Sequence, residues 1–132
     1  MLDKLISRIA AFLGITSSVE LDSQGGYTLP FENEMKVRVY GNAENDIVLS
    51  MVLSYLDPKT DHSKLYYDMM VGNLFGKETG GSVLGLGENG SVLLIKRLTG
   101  IPSDDRFSRH LETFVNFAEA WKDEIATEKV QE

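Results

Sequence analysis

The glycines, histidines and carboxylates of this chain are the residues whose types and spacing bear on chemistry. Gly85-Leu86-Gly87-Glu88-Asn89-Gly90 fits the G-x-G-x-x-G pattern of dinucleotide-binding loops. That chemistry needs the loop to open a helix, whose first amides hold the pyrophosphate. Here the apolar run Val92-Leu93-Leu94-Ile95 follows, and it reads as a strand. Extended through Ser91-Val92, with Lys96 beyond, the pattern also meets the glycine-rich loop of kinases. A kinase further needs a His-Arg-Asp loop and an Asp-Phe-Gly magnesium site. Neither string occurs, and 132 residues are too few. Asn-Gly between two apolar runs is instead the signal of a type I′ hairpin.

The remaining candidates are equally bland. His62 stands near Asp57 and Asp61, three groups that metal chemistry could use, but a turn followed by a helix cap accounts for them better. His110 lies inside a helical pattern, outside any nucleophile or metalloprotease context. Glu44-Asn45-Asp46 lacks calcium-loop spacing. Glu119, Asp123, Glu124 and Glu128 read as a solvated helix face. With no cysteine, the chain has no disulfide, thiolate zinc site, iron–sulfur cluster or cysteine nucleophile. No catalytic centre emerges, and neither a metal nor a cofactor is implied.

The elements that would position a site are clearer. Leu2, Leu5, Ile6, Ile9, Phe12 and Leu13 recur at helical spacing and Gly14 stops them. Tyr27, Leu29 and Phe31 alternate as in a half-buried strand, and Pro30 puts that strand on a sheet edge. Met35, Val37 and Val39 predict a second strand, and residues 41–46 a hairpin loop. Residues 47–56 carry serines four apart, which suits a helix. They also place Ile47, Leu49, Met51, Leu53 and Tyr55 on one strand face, and strand is the better reading after a hairpin. Asp57-Pro58 ends it. Thr60 or Asp61 caps a helix over 62–75, and 82–98 form the second hairpin. Ser103 caps a long helix with the seam Phe107, Leu111, Phe114, Ala118, Trp121 and Ile125, fraying over about 126–132. The order α-β-β-β-α-β-β-α predicts one α+β domain over 1–132, its mainly antiparallel twisted sheet packed by helices.

Composition agrees with a globular chain: 42% hydrophobic and 25% charged residues, with a net charge of −7. That acidity argues against a nucleic-acid partner, and no apolar run is long enough to span a bilayer. The N-terminus opens an amphipathic pattern rather than a secretory signal, which favours the cytoplasm. What remains unassigned concerns association. The middle helix carries Tyr66, Tyr67, Met69, Met70, Leu74 and Phe75 over much of its circumference, so part of it either meets another subunit or lies buried in the monomer.

Specific residues resemble a known family. Met70-Val71-Gly72-Asn73-Leu74-Phe75, then Thr79-Gly80-Gly81, Leu84-Gly85-Leu86, Asn89-Gly90 and Leu93-Leu94-Ile95-Lys96-Arg97-Leu98 lead into a long helix with Phe114, Ala118 and Trp121. This combination resembles the class I chaperones of type III secretion systems, the Tir chaperone family, over nearly the whole chain. The resemblance implies a cytoplasmic bacterial homodimer without enzymatic activity. It would hold the N-terminal segment of a secreted effector in extended form, keep it soluble and present it to the export apparatus. It implies an effector-binding surface at Leu5, Ile9, Phe12, Tyr27, Leu29 and Phe31, by apolar docking or strand addition. It implies a dimer interface at Leu65, Met69, Leu74, Phe75, Val83, Leu84 and Leu86. Pro30 would interrupt strand addition if its missing donor faced the partner. A small-ligand-binding or enzymatic α+β domain and a regulatory adaptor are the other classes open to this sequence; the first needs a deep pocket with convergent polar groups.

Overall fold

The computed structural model describes residues 2–15, 19, 21–76, 78–100 and 102–131, with the side chains of Phe75 and of 128–131 left out. The elements follow the expected order. They are α1 (Leu2–Phe12), β1 (Gly26–Pro30), β2 (Lys36–Gly41), β3 (Ile47–Tyr55), α2 (Ser63–Asn73), β4 (Val83–Leu86), β5 (Ser91–Leu98) and α3 (Asp104–Gln131). Short 3₁₀ turns at Leu74–Gly76 and Glu88–Gly90 join α2 to β4 and β4 to β5. The five strands form one antiparallel sheet in the order β1-β2-β3-β5-β4. Among the described residues, no helix is long and apolar enough to cross a membrane.

Alternation along the strands sends one set of side chains to the core face. Leu29 pairs with Val37, Val39 with Leu49, Met51 with Leu94, and Leu94 with Leu84. All of these are buried. The seam of α3, with Phe107, Leu111, Phe114, Ala118 and Ile125, closes over that face together with Leu5, Ile6 and Ile9 of α1. The Ser103 hydroxyl accepts the Arg106 N–H at 3.3 Å, and Asp104 and Asp105 sit in the first turn, where carboxylates suit the helix dipole. α3 continues as helix to Gln131.

Two turns differ from the sequence reading. Tyr55 was expected on the buried face of β3, but it is 63% exposed. A register shift between Val52 and Ser54 inserts Leu53 as an extra residue, and such a bulge resets which face the next side chains occupy. The loop from Glu32 to Met35, with no glycine to announce it, closes as a tight hairpin. The Phe31 N–H donates to Met35 at 2.8 Å and the Met35 N–H to Glu32 at 3.3 Å, with Asn33 and Glu34 both at positive φ (60° and 63°). The Asn89-Gly90 turn adopts the same left-handed pair, at 58° and 75°.

Glu34 is therefore a side chain held where glycine belongs. The left-handed region costs an ordinary residue about 1–2 kcal/mol, and glycine returns about 0.5–1 of that as unfolded-state entropy. Glu34→Gly should raise stability by about 0.5–1 kcal/mol, seen as a higher urea midpoint at unchanged m-value. A lower midpoint would mean that the Glu34 side chain makes a stabilising contact.

Candidate functional site

α1 is fixed on α3 by its buried stripe and by a forked ion pair. Arg8 Nε donates to Asp104 Oδ2 at 2.8 Å and Nη2 to Oδ1 at 3.1 Å. The helix then ends in a Schellman motif. The Ile15 N–H bonds the Ala10 carbonyl at 2.9 Å, the Gly14 N–H bonds Ala11 at 3.2 Å, and Gly14 takes φ 74°. This end overhangs the core. Leu13, Ile15, Phe31, Met35 and Val115 line a groove of about 550 Å³ between α1, the β1–β2 turn and α3. Phe12, Leu13, Phe31, Leu111 and Val115 line an adjoining recess of about 210 Å³. Phe12 is 77% exposed, a large apolar ring with no intramolecular reason to face water.

Of the effector-binding residues expected from sequence, the structure brings Phe12 and Phe31 together in this groove. Leu5, Ile9 and Leu29 are buried in the core, where they hold the groove's walls and present no surface to a partner. Tyr27 is half-buried on β1, opposite Val39. Leu13, Ile15 and Val115 were not anticipated. The available signal was that Phe12 and Leu13 continue the stripe of α1 into its terminating glycine.

The edge of β1 is already occupied. Leu21 bridges to Tyr27, the Asp22 N–H donates to the Gly26 carbonyl at 2.8 Å, and the Gly26 N–H returns to Asp22 Oδ1 at 2.8 Å. Arg38 Nε donates to Asp22 Oδ2 at 2.9 Å while its guanidinium stacks over Tyr40 at 4.6 Å. The Arg38 hydrogen bond, then that of Gly26, holds the Asp22 carboxyl well below the usual carboxylate range. A depressed acid contributes its stabilisation above the unfolded value near ~3.9 and loses it only as pH falls through the folded one. This strap therefore stays latched at neutral and mildly acid pH. Because Phe31 bonds inward to Met35, alternate residues put the Pro30 nitrogen on the outer side of the edge, where it has no N–H to offer.

A second surface lies on α2 and β4. Leu65, Met69 and Leu84, expected at a dimer interface, are buried in the monomer. Leu74, Val83 and Leu86 are more than half exposed, and so are Tyr67 and Met70, the latter at 73%. The Phe75 side chain lies outside the described residues. Gly72 lets α2 lie on α3, since a Cβ there would stand 2.6 Å from the Trp121 ring. Trp121 Nε1 in turn donates to the Glu78 carbonyl at 2.9 Å.

The polar candidates are spoken for by structure. His62 Nε2 bonds the Asp57 carbonyl at 2.7 Å, Asp57 Oδ1 accepts the Lys59 N–H, and Asp61 Oδ1 accepts the Ser63 N–H, each at 2.9 Å. That is a turn; α2 has His62 at its N-cap position with no side-chain capping bond, so the cap expected of Thr60 or Asp61 is not formed. Burial, then the nearby Lys96, pushes the His110 ring below its ordinary value. Lys96 Nζ donates to the Gly80 carbonyl at 3.0 Å. Among the described residues, no three His, Asp or Glu side chains could hold a metal.

The profile of the Tir chaperone protein (CesT) family matches residues 4–122. A Chlamydia pneumoniae protein is 50% identical over 129 residues, 98% of this chain and 99% of its own length. Among solved structures, the fold is similar to a chain of the ExsC–ExsE complex, with TM-score 0.75 at 20% identity over 92% of this chain and 91% of that one. It is similar to a chain in the structure of the Yersinia pestis type III secretion chaperone SycH with a stable fragment of YscM2, with TM-score 0.67 at 21% identity, over 91% and 98%. It is also similar to a chain of the HopA1–SchA chaperone–effector complex, with TM-score 0.72 at 15% identity, over 92% and 93%.

The burial pattern separates wall from surface. Ile9→Asp places a charge in the core and should cost more than about 4 kcal/mol, enough to unfold a marginal domain. Phe12→Asp should stay within about 0.5 kcal/mol of the parent. Urea unfolding of both variants checks this, and an equal loss in the two would place Phe12 in the fold rather than in the groove.

Proposed function

The chain belongs to the Tir chaperone protein (CesT) family, the class I chaperones of type III secretion, and on that premise we propose that two copies hold the N-terminal segment of a secreted effector in extended form. The observation that carries this reading is that exposed apolar side chains gather at the Phe12 groove and on the α2–β4 face, with Val52 and Tyr55 of β3 and Leu21 exposed elsewhere. One surface serves the client and the other the second copy.

The client surface is the groove. Phe12, Leu13 and Phe31 are large side chains held at a helix end and a strand end, with Val115 beneath them on α3. An extended segment placing an apolar residue there buries surface worth about 25 cal/mol per Å². It also loses the chance to collapse on itself, which keeps it secretion-competent. The strap along β1 and the outward Pro30 make side-chain docking the main mode of recognition in this conformation. Holding needs no bond to be made or broken, so the protein acts by binding, without enzymatic activity or cofactor, in the bacterial cytoplasm. The net charge of −7 keeps the pair soluble while apolar surface is displayed, and suits neutral or basic client segments.

The self-association surface is Tyr67, Met70, Leu74, Val83 and Leu86. None carries charge, so two acidic chains can bury these side chains against each other without desolvating a charge among them. A two-fold pair uses the same patch on both copies.

Three experiments test these roles. A tagged chain, recovered from its native cell, should carry one larger protein that limited proteolysis shows protected over an extended N-terminal stretch. An empty bait, or one holding only a small molecule, overturns the chaperone reading. Phe12→Asp and Phe31→Asp should each lower the yield of captured client about tenfold or more with the fold intact by circular dichroism; undiminished capture places docking elsewhere. Leu74→Asp should convert the dimer to a folded monomer by sedimentation velocity at micromolar concentration, and a persisting dimer moves the interface off α2.

A further inference from the structure

The edge of β4 is closed by the chain's own side chains. The Gly87 N–H donates to the Ser91 carbonyl at 2.9 Å, so alternate residues Val83 and Gly85 bond inward to β5. Ser82, Leu84 and Leu86 therefore turn their backbone groups outward, where an incoming strand would find them. Asn73, the last residue of α2, meets Leu84 with both ends of its carboxamide. Its Oδ1 accepts the Leu84 N–H at 2.7 Å, and its Nδ2 donates to the Leu84 carbonyl at 2.9 Å. Thr79 treats Ser82 the same way: its carbonyl accepts the Ser82 N–H at 3.1 Å and its hydroxyl donates to the Ser82 carbonyl at 2.5 Å. The carboxamide imitates one peptide unit of a sixth strand. Only Leu86 remains, and one residue does not make a strand pair.

We propose that Asn73 decides how two copies of this chain join. It denies the β4 edge to strand pairing, so the copies meet through the side chains of Met70, Leu74, Val83 and Leu86 and not through one sheet continued across the pair. The proposal rests on the self-association stated above. Its occupant is the second copy because the apolar side chains flank the sealed edge on both sides and carry no charge. An unsealed edge beside such a face would offer two competing ways to associate, and edge pairing is the less selective of them. A bidentate carboxamide removes that option without adding a charge that the apolar face would have to desolvate.

The test uses the full chain. Sedimentation velocity first establishes the dimer; a monomeric parent overturns the self-association reading itself. In dimers mixed from differently labelled copies, filtered nuclear Overhauser spectra should show methyl contacts between copies among Met70, Leu74, Val83 and Leu86. Contacts between the Hα protons of the two β4 strands should be absent. Such Hα contacts in a dimeric parent overturn the present inference and leave the dimer standing. Asn73→Ala should speed amide exchange at Leu84 about tenfold, the equivalent of one net hydrogen bond, and bring Hα contacts between copies into view. Unchanged exchange and an unchanged interface in that variant overturn it as well. If Asn73→Ala does not fold, the spectra of the parent dimer remain decisive.

Discussion

The contact on which the rest depends is that between α3 and the core face of the sheet. Phe107, Leu111, Phe114, Ala118 and Ile125 recur at three-, four- and seven-residue intervals and lie over the buried pairs Leu29–Val37, Val39–Leu49 and Met51–Leu94. One helix thus spans the sheet and supplies the floor for everything at its flanks. α1 packs on it at one end through Ile9 and the Arg8–Asp104 fork. α2 packs on it at the other, because Gly72 leaves room for Trp121. Once those three contacts are made, the side chains that still face water are set by geometry, and two of the places where apolar ones gather are the end of α1 and the α2–β4 face.

An open antiparallel sheet carries two edges, and each is a hazard in a protein that displays apolar surface. This chain closes them with different devices. β1 is covered by a returning segment latched through Asp22 and Arg38, and Pro30 removes the outward donor beyond it. β4 is covered by the side chains of Asn73 and Thr79, groups set on a helix end and in a tight turn. Apolar display and a closed backbone are compatible because side chains and main chain point in different directions. On the proposed reading, a protein built this way takes up segments by shape and hydrophobicity and does not template their pairing with itself.

Much of this was legible along the chain. The helical stripe of residues 2–13, the alternation in 27–40 and the Asn-Gly hairpin each act locally, through period and turn chemistry, and the structure reproduces them. Pro30 marked its strand as an edge because a missing donor is tolerated nowhere else. Other features were illegible for equally physical reasons. The Glu32–Met35 turn uses two non-glycine residues at positive φ, so composition did not announce it. The bulge at Leu53 arises from pairing with β5, some forty residues away, and no local pattern carries it.

The division of apolar residues between core and surface shows the same boundary. From sequence alone, Leu5, Ile9 and Phe12 are one stripe, and Leu65, Met69 and Leu74 are another. By itself the sequence determined the class of fold, the order and type of its elements, and the family. Only the tertiary structure decided that Ile9 is wall and Phe12 is surface, and that Met69 is core while Met70 faces water. The reason is that periodicity records which side of an element is apolar, whereas burial depends on how far the neighbouring element extends. α1 and α2 each outrun the partner that covers them, and what they leave exposed there is the surface this protein has to offer.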